Sequence, residues 1–147
     1  MNDIEERIKE CYARLSKRFS GKSGKFPFEF FIRDDAGYYH IEYNDSGKIS
    51  FVGTDRGRDT CRYETYDVCE LMYWIFKGAA FSRGQAYEFE HRHPTNDPRR
   101  IWFPKAVEEI SKISPEWAER MKTEQEDILQ VHPFIDDPFE VTKKDHQ

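Results

Sequence analysis

The chain has 147 residues, of which 35% are charged and 37% are hydrophobic, and its formal net charge is -5. This length predicts one domain with a core of its own, and the 12 Phe, 8 Tyr and 3 Trp supply enough apolar area to exclude a disordered chain. No segment approaches the ~20 apolar residues of a membrane-spanning helix, so we expect no membrane partner.

The acidic excess is confined to the end of the chain. Residues 108–147 contain 11 acidic and 5 basic residues, whereas residues 1–107 contain 17 and 18. Nucleic-acid binding needs a concentrated basic surface that neutralises phosphates, so this distribution disfavours a nucleic-acid partner. An acidic end favours a basic protein partner, and an ordinary solvated helix surface is the alternative.

The three cysteines are odd in number and irregular in spacing, and none forms a CxxC motif. This pattern favours reduced thiols in a cytosolic protein. The first six residues are acidic where a signal peptide would be basic and then apolar. We therefore expect a cytoplasmic protein.

Residues 1–25 predict a helix followed by a flexible break. Apolar residues recur with helical spacing over 3–19, at Ile4, Ile8, Cys11, Leu15 and Phe19. The Gly- and Ser-rich residues 20–24 then interrupt the pattern.

Residues 26–66 predict an antiparallel meander of three or four strands with one apolar face. Apolar residues alternate in three runs, which are Phe28/Phe30/Ile32, Tyr39/Ile41/Tyr43 and Ile49/Phe51, and a fourth strand is predicted over 60–65. The intervening residues 34–37, 44–47 and 55–57 are typical of turns, because Asp and Asn tolerate left-handed backbone and Gly supplies positive φ.

Residues 67–137 predict a C-terminal half of three helices. The first extends from residue 68 towards 92, and Gly78 and Gly84 weaken it. The second has Pro104 in its first turn, where proline is tolerated. The last begins at Ser114 as N-cap with Pro115 after it, and its buried stripe is predicted as Trp117, Met121, Ile128 and Leu129.

The predicted fold class is therefore α+β in a single domain over 1–147, with helices covering the apolar face of the sheet. Residues 138–147 are polar, which predicts a frayed tail.

Adjacent arginines, Arg99 and Arg100, lie at the predicted start of the second of these helices. They oppose the positive end of the helix dipole, so local helix energetics does not explain them. We expect one of them to clamp a carboxylate bidentately, tying this turn to the end of the last helix, and the other to face solvent and a partner. The candidate carboxylates are Glu88, Glu90 and Asp136.

Histidines offer an alternative chemistry. His91 and His93, with His132 and nearby acids, contain the ligand types of a metal site, but residues two apart on a helix point about 200° apart. Surface or capping histidines are the favoured interpretation, and we predict no metal and no cofactor. The sequence contains no GxSxG, GxGxxG or Walker motif.

Two charged turns carry a family resemblance. Their motifs are Glu90-His91-Arg92 with Pro94, Asp97-Pro98-Arg99-Arg100 with Phe103, and His132-Pro133-Phe134 with Asp136. This arrangement, in about the last third of the chain, resembles the immunity protein 63 family of bacterial polymorphic toxin systems. The resemblance implies a non-enzymatic protein that binds a cognate toxin domain and blocks its active site or substrate path. The alternatives are a small metal-dependent hydrolase that uses His91 and His93, and a non-catalytic adaptor domain.

The acidic excess would suit a nuclease toxin, whose own surface must be basic to hold nucleic acid. We assign five residues to partner binding, which are Glu88, Glu90, Arg99, Asp136 and Asp137. Five others are assigned to the structural motif, which are Arg92, Asp97, Arg100, Phe103 and Pro133. The oligomeric state is left open by these patterns.

Overall fold

A computed structural model describes residues 3–33 and 36–136. The elements in chain order are α1 (Asp3–Ser20), β1 (Ala36–Tyr43), β2 (Ile49–Asp55), β3 (Arg58–Thr65), α2 (Val68–Glu90), α3 (Arg99–Ser111) and α4 (Pro115–Val131). The predicted α+β class is confirmed: an N-terminal helix, an antiparallel meander, then three helices. The chain divides into two compact units, Met1–Trp74 and Ile75–Gln147, with the boundary inside α2. A single domain over 1–147 stays a prediction.

Helix α1 buries four residues of the predicted stripe, Ile8, Cys11, Leu15 and Phe19, whereas Ile4 is half-buried. Acidic residues occupy its first turn and basic residues its last turn, which is the arrangement that the helix dipole favours. The helix ends at a left-handed glycine, Gly21, with φ of 80° and an N–H that donates to the Lys17 carbonyl at 2.9 Å. Glycine adopts this conformation without the steric cost that a side chain would add.

The three strands pair in the order β1-β2-β3 and are antiparallel throughout. Between β2 and β3, Arg56 and Gly57 both have positive φ, 53° and 77°, as a two-residue type I′ turn requires. Between β1 and β2, the Asn44 side chain accepts hydrogen bonds from the backbone of Ser46 and Lys48, and Gly47 has φ of 91°. The turns predicted at 44–47 and 55–57 are confirmed, whereas residues 34 and 35 of the first predicted turn lie outside the described residues.

The strand predicted over residues 28–32 is wrong. Phe30 makes only an isolated bridge to Ile41, and Phe31 has φ of 62°, which no regular strand contains. The alternation in this segment instead serves aromatic packing, since the Phe28 ring meets the Phe51 ring edge-on at 5.2 Å. The fourth predicted strand is β3, so the meander in the described part of the chain has three strands.

In the second unit, α2 and α3 approach each other closely at Gly84. A Cβ atom on this glycine would lie 2.6 Å from the Trp102 carbonyl oxygen and 3.3 Å from the Ala106 Cβ atom. Gly84 therefore weakens the helix locally but allows the contact that packs the two helices.

Two details of the helical half differ from prediction. Helix α3 begins at Arg99, so Pro104 lies inside the helix and not in its first turn. On α4, Ile128 is 40% exposed, and Gln125 is buried in its place and donates to the Phe103 carbonyl oxygen at 3.0 Å. The predicted start of α4 is confirmed, because the Ser114 hydroxyl accepts a hydrogen bond from the backbone N–H of Trp117. No helix in the described ranges is long and apolar enough to cross a membrane.

Candidate functional site

A cluster of ion pairs joins the turn before α3 to residues 132–136, which follow α4. We call it the arginine clamp, and it consists of Asp97, Arg99, Arg100 and Asp136. The Arg100 guanidinium donates to both carboxylate oxygens of Asp136 at distances of 2.7–3.0 Å. This is the bidentate contact predicted from the sequence, and it ties the turn to the segment after the last helix.

One of the two arginines was expected to face solvent and a partner, and Arg99 was assigned to partner binding. Arg99 does not face solvent, whereas its assignment to partner binding stays a prediction. Its guanidinium contacts the Asp97 carboxylate at 2.9 Å and donates to the backbone carbonyls of His132 and Pro133 at 2.8 and 2.9 Å. Only 20% of its side chain is exposed. Both arginines are therefore clamp residues, because two backbone carbonyls turn towards Arg99 after α4 ends.

Asp97 is the centre of the clamp. Its buried carboxylate accepts hydrogen bonds from the backbone N–H groups of Arg99 and Ile135, each at 2.9 Å, in addition to the Arg99 guanidinium. The hydrogen bond from Arg99, supported by these backbone donors, holds the pKa of Asp97 well below its usual range, although burial opposes this shift. Asp97 is thus ionised at neutral pH and also satisfies a free N–H at the start of α3.

Two aromatic rings, Phe103 and Phe134, lie close to the guanidinium groups of the clamp. The Arg100 guanidinium carbon lies 4.1 Å from the centroid of the Phe134 ring, and that of Arg99 lies 5.6 Å from the same ring. The centroid of the Phe103 ring, which is buried, lies 5.9 Å from the guanidinium carbon of Arg99. These positions allow cation–π attraction in addition to the ion pairs.

The remaining predicted site residues differ in their exposure to solvent. Glu88 is only 2% exposed and pairs with Arg92 at 2.9 Å, so a partner cannot reach its carboxylate without local rearrangement. Glu90 is exposed. Asp136 is paired in the clamp, and Asp137 lies outside the described residues.

The histidines make local contacts. The Nδ1 atom of His91 lies 2.9 Å from the Tyr87 carbonyl oxygen, and that of His93 lies 3.0 Å from the Thr95 hydroxyl. His132 caps the C-terminus of α4. Within residues 3–33 and 36–136, no three His, Cys, Asp or Glu side chains are placed to hold a metal ion.

The solvent side of α4 carries four exposed carboxylates, which we call the acidic face: Glu116, Glu119, Glu126 and Asp127. None of them has an ion-pair partner among the residues that the structure describes. By contrast, Glu124 on the same helix pairs with Lys77 at 3.2 Å. The bases of α4 are Lys122, which is exposed, and Arg120, which pairs with Glu124 at 3.6 Å, so this face has a net negative charge.

Three aliphatic side chains continue from the acidic face towards the clamp. Ile128, Val131 and Ile135 are 40%, 73% and 69% exposed. We call them the apolar ridge. Helical periodicity did not reveal it, because an exposed isoleucine at a core spacing is indistinguishable in sequence from a buried one.

A family model described as Immunity protein 63 matches residues 44–127, which is more than half of the chain. The match begins in the turn before β2 and ends within α4, so it includes Asp97, Arg99 and Arg100 but not Asp136. It reaches further towards the N-terminus than the motifs that carry the resemblance. No curated protein and no solved structure matches the chain significantly.

Proposed function

Because the chain belongs to the immunity protein 63 family, we propose that it binds a cognate bacterial toxin domain and neutralises it by protein–protein contact. Immunity proteins are typically non-catalytic, and on this proposal the chain is not an enzyme and needs no cofactor. Its effect would be steric: a bound partner covers the active site of the toxin or the path to it.

The unpaired carboxylates of the acidic face are the observation that supports a particular contact surface. Ion pairs elsewhere in the same unit are internal, as in Glu109, which is buried and contacts Arg83 and Lys112 at 3.0 and 2.7 Å. The acidic face has no such internal use in the described chain. Exposed charges of one sign accelerate association with an oppositely charged partner, so this face fits a basic protein surface.

The apolar ridge supplies apolar contact area, which the acidic face lacks. Charges at the rim of an interface mainly set the association rate, whereas affinity depends on a few apolar anchors that are buried at its centre. Val131 lies one turn after Asp127 on α4, Ile135 follows the helix, and both are largely exposed. We propose that they enter an apolar depression on the toxin while Glu126 and Asp127 contact basic residues around it.

A nuclease is the toxin class that this surface fits. A nuclease holds phosphates on a basic surface, and carboxylates on an inhibitor can occupy that surface in place of phosphates. The acidic face would then compete directly with the nucleic-acid substrate.

The test is calorimetric titration of the chain with a catalytically inactive form of the toxin domain encoded beside its gene, at low and high salt. We expect tight binding that weakens as salt rises, because salt screens exposed charges. The variant Glu126→Lys/Asp127→Lys should bind more weakly than the variant Glu10→Lys/Asp45→Lys, which changes the net charge equally through exposed acids of the other unit. Absence of binding by the unmodified chain would contradict the proposal, and equal binding by the two variants would remove the acidic face from it.

A further inference from the structure

Strand β3 is an open edge of the sheet. It pairs with β2 on one side only, and most of its residues are exposed. Residues 3–33 and 36–136 provide no backbone partner for its other side. Such an edge presents unpaired N–H and C=O groups that can accept another strand.

The hydrogen-bond pattern of the sheet determines which backbone N–H and C=O groups of β3 point to its open edge. The N–H and C=O groups of Ile41 bond to Glu29 and Phe31, so they point away from β2. Opposed residues of an antiparallel pair either exchange both bonds or exchange none, so the pair Ile41/Phe51 exchanges none and Phe51 bonds to β3 instead.

The partner of Phe51 on β3 is Tyr63. Tyr63 therefore bonds inward, and its neighbours Arg62 and Glu64 direct their N–H and C=O groups to the open edge.

A two-fold antiparallel pairing of β3 with itself can use these groups in three registers, centred on residue 62, 63 or 64. The first places Arg62 opposite Arg62 of a second copy, and the last places Glu64 opposite Glu64. Like charges that face each other across strands are unfavourable. Only the register centred on Tyr63 places each Arg62 opposite Glu64 of the other copy, and it does so at both ends of the pairing.

We propose that β3 is a homodimer interface in which two copies pair about Tyr63 and form a continuous sheet of six strands. The occupant of the edge is a second copy because the edge is complementary to itself in charge and in hydrogen-bond direction. Arg62 and Glu64 also pair within the chain, with Glu42 at 3.1 Å and Lys48 at 3.2 Å, and these pairs are partly exposed, so the contacts between copies extend existing ion-pair networks. Tyr63, which is 49% exposed, would face its counterpart across the two-fold axis as a closely spaced, non-hydrogen-bonded pair.

A bulge near the turn between β2 and β3 limits the length over which two copies of β3 can pair. Gly53 pairs with Cys61 and Thr54 with Asp59, so Thr60 is a bulge that interrupts β3. The regular part of the edge is residues 61–65, and a two-fold contact there uses the edge of both copies. The assembly closes as a dimer and does not continue into a fibre.

The first test is the mass of the full chain in solution, measured by sedimentation equilibrium over a dilution series with a reducing agent present. We expect a mass that rises with concentration towards twice the 17.6 kDa of one chain. A mass of one chain at every concentration would overturn the proposal.

The register is tested by charge complementation. Arg62→Glu and Glu64→Arg should each remain monomeric alone, because each places like charges opposite each other. An equimolar mixture of the two variants should form a heterodimer, since every facing pair in it is again of opposite charge. A wild-type dimer that both variants retain, or a mixture that stays monomeric, would contradict this register.

A third variant, Glu64→Pro, tests main-chain pairing when it is compared with Glu64→Gln, which removes the same charge but keeps the N–H group and should still dimerise. The N–H missing from the proline variant is one that points to the open edge, so the bond between Phe51 and Tyr63 stays in place. We expect the proline variant to be a folded monomer, with folding checked by circular dichroism. A folded proline variant that still dimerises would exclude main-chain pairing at this edge.

Discussion

Arg99 spans the gap between Asp97 and the two backbone carbonyls that follow α4, at distances of 2.8–2.9 Å to each of the three acceptors. The contact with Asp97 lies largely away from solvent, whereas the neighbouring pair of Arg100 and Asp136 is about 40% exposed on both sides. Two adjacent arginines thus make similar bonds in different environments, and their energetic contributions should differ accordingly.

Replacing Arg99 with Ala should destabilise the chain more than replacing Arg100 with Ala. Loss of Arg99 leaves the buried carboxylate of Asp97 without its cation, which in buried pairs costs about 3 kcal/mol. Loss of Arg100 removes a pair that water already screens, so its effect should be smaller. Urea denaturation of the two variants, with Arg7→Ala as a control that removes an exposed arginine of α1, measures the difference. Equal midpoints for the Arg99 and Arg100 variants would show that burial does not distinguish the two contacts.

The clamp should also make stability depend on pH in the acidic range. The pKa of Asp97 is lower in the folded chain than its unfolded value of about 3.9. A carboxyl group whose pKa is lowered by folding stabilises the folded chain at pH values above its unfolded-state pKa. This stabilisation is lost as the pH falls towards its folded-state pKa. The difference in unfolding free energy between the wild type and Asp97→Asn should therefore have its largest value at pH 6 and decrease between pH 5 and pH 2. A difference that stays constant over this range would mean that the charge of Asp97 does not contribute.

Part of the arginine clamp could be predicted from the sequence. Adjacent arginines at a helix start are unfavourable for the dipole, and this predicted correctly that a carboxylate clamp ties this turn to the end of the last helix. The role of Arg99 was not predictable, because its other acceptors are carbonyls whose direction depends on how the chain turns after His132. Sequence patterns describe side chains, and they carry little information about free backbone groups.

Two apolar patterns were misassigned because sequence patterns do not show which backbone groups and distant side chains a residue meets. Alternating phenylalanines at 28 and 30 have the spacing of a strand, but aromatic rings can pack on neighbouring elements without a ladder of backbone bonds. On α4, Gln125 is buried because its amide reaches the Phe103 carbonyl, and this partner is 22 residues away in the sequence. Regular elements and turns depend on local residues and were predictable, whereas these contacts depend on tertiary geometry.

The two glycines inside α2 should respond oppositely to alanine. Gly84→Ala would place a Cβ atom 2.6 Å from the Trp102 carbonyl oxygen, so α2 and α3 must separate and the chain should lose stability. Gly78→Ala meets nothing within 4 Å, and the higher helix propensity of alanine should stabilise the chain by up to about 1 kcal/mol. Thermal unfolding of both variants gives the comparison. A stabilised Gly84→Ala variant would mean that the helices are not in close contact at this point.

Truncation of the apolar ridge should weaken binding to the toxin domain without affecting folding. Val131 and Ile135 are mostly exposed, so Val131→Ala and Ile135→Ala remove little buried area and should unfold at the wild-type temperature. In a complex they would be anchors, and each truncation should cost about 1–2 kcal/mol of binding energy, which is roughly tenfold in Kd. Tyr38→Ala, which removes a 66% exposed side chain of the other unit, is the matched control and should bind as the wild type does. The readout is calorimetric titration with the inactive toxin domain. Variants of the ridge that bind as tightly as the control would move the interface away from the end of α4, while the binding of the unmodified chain would still support an immunity protein.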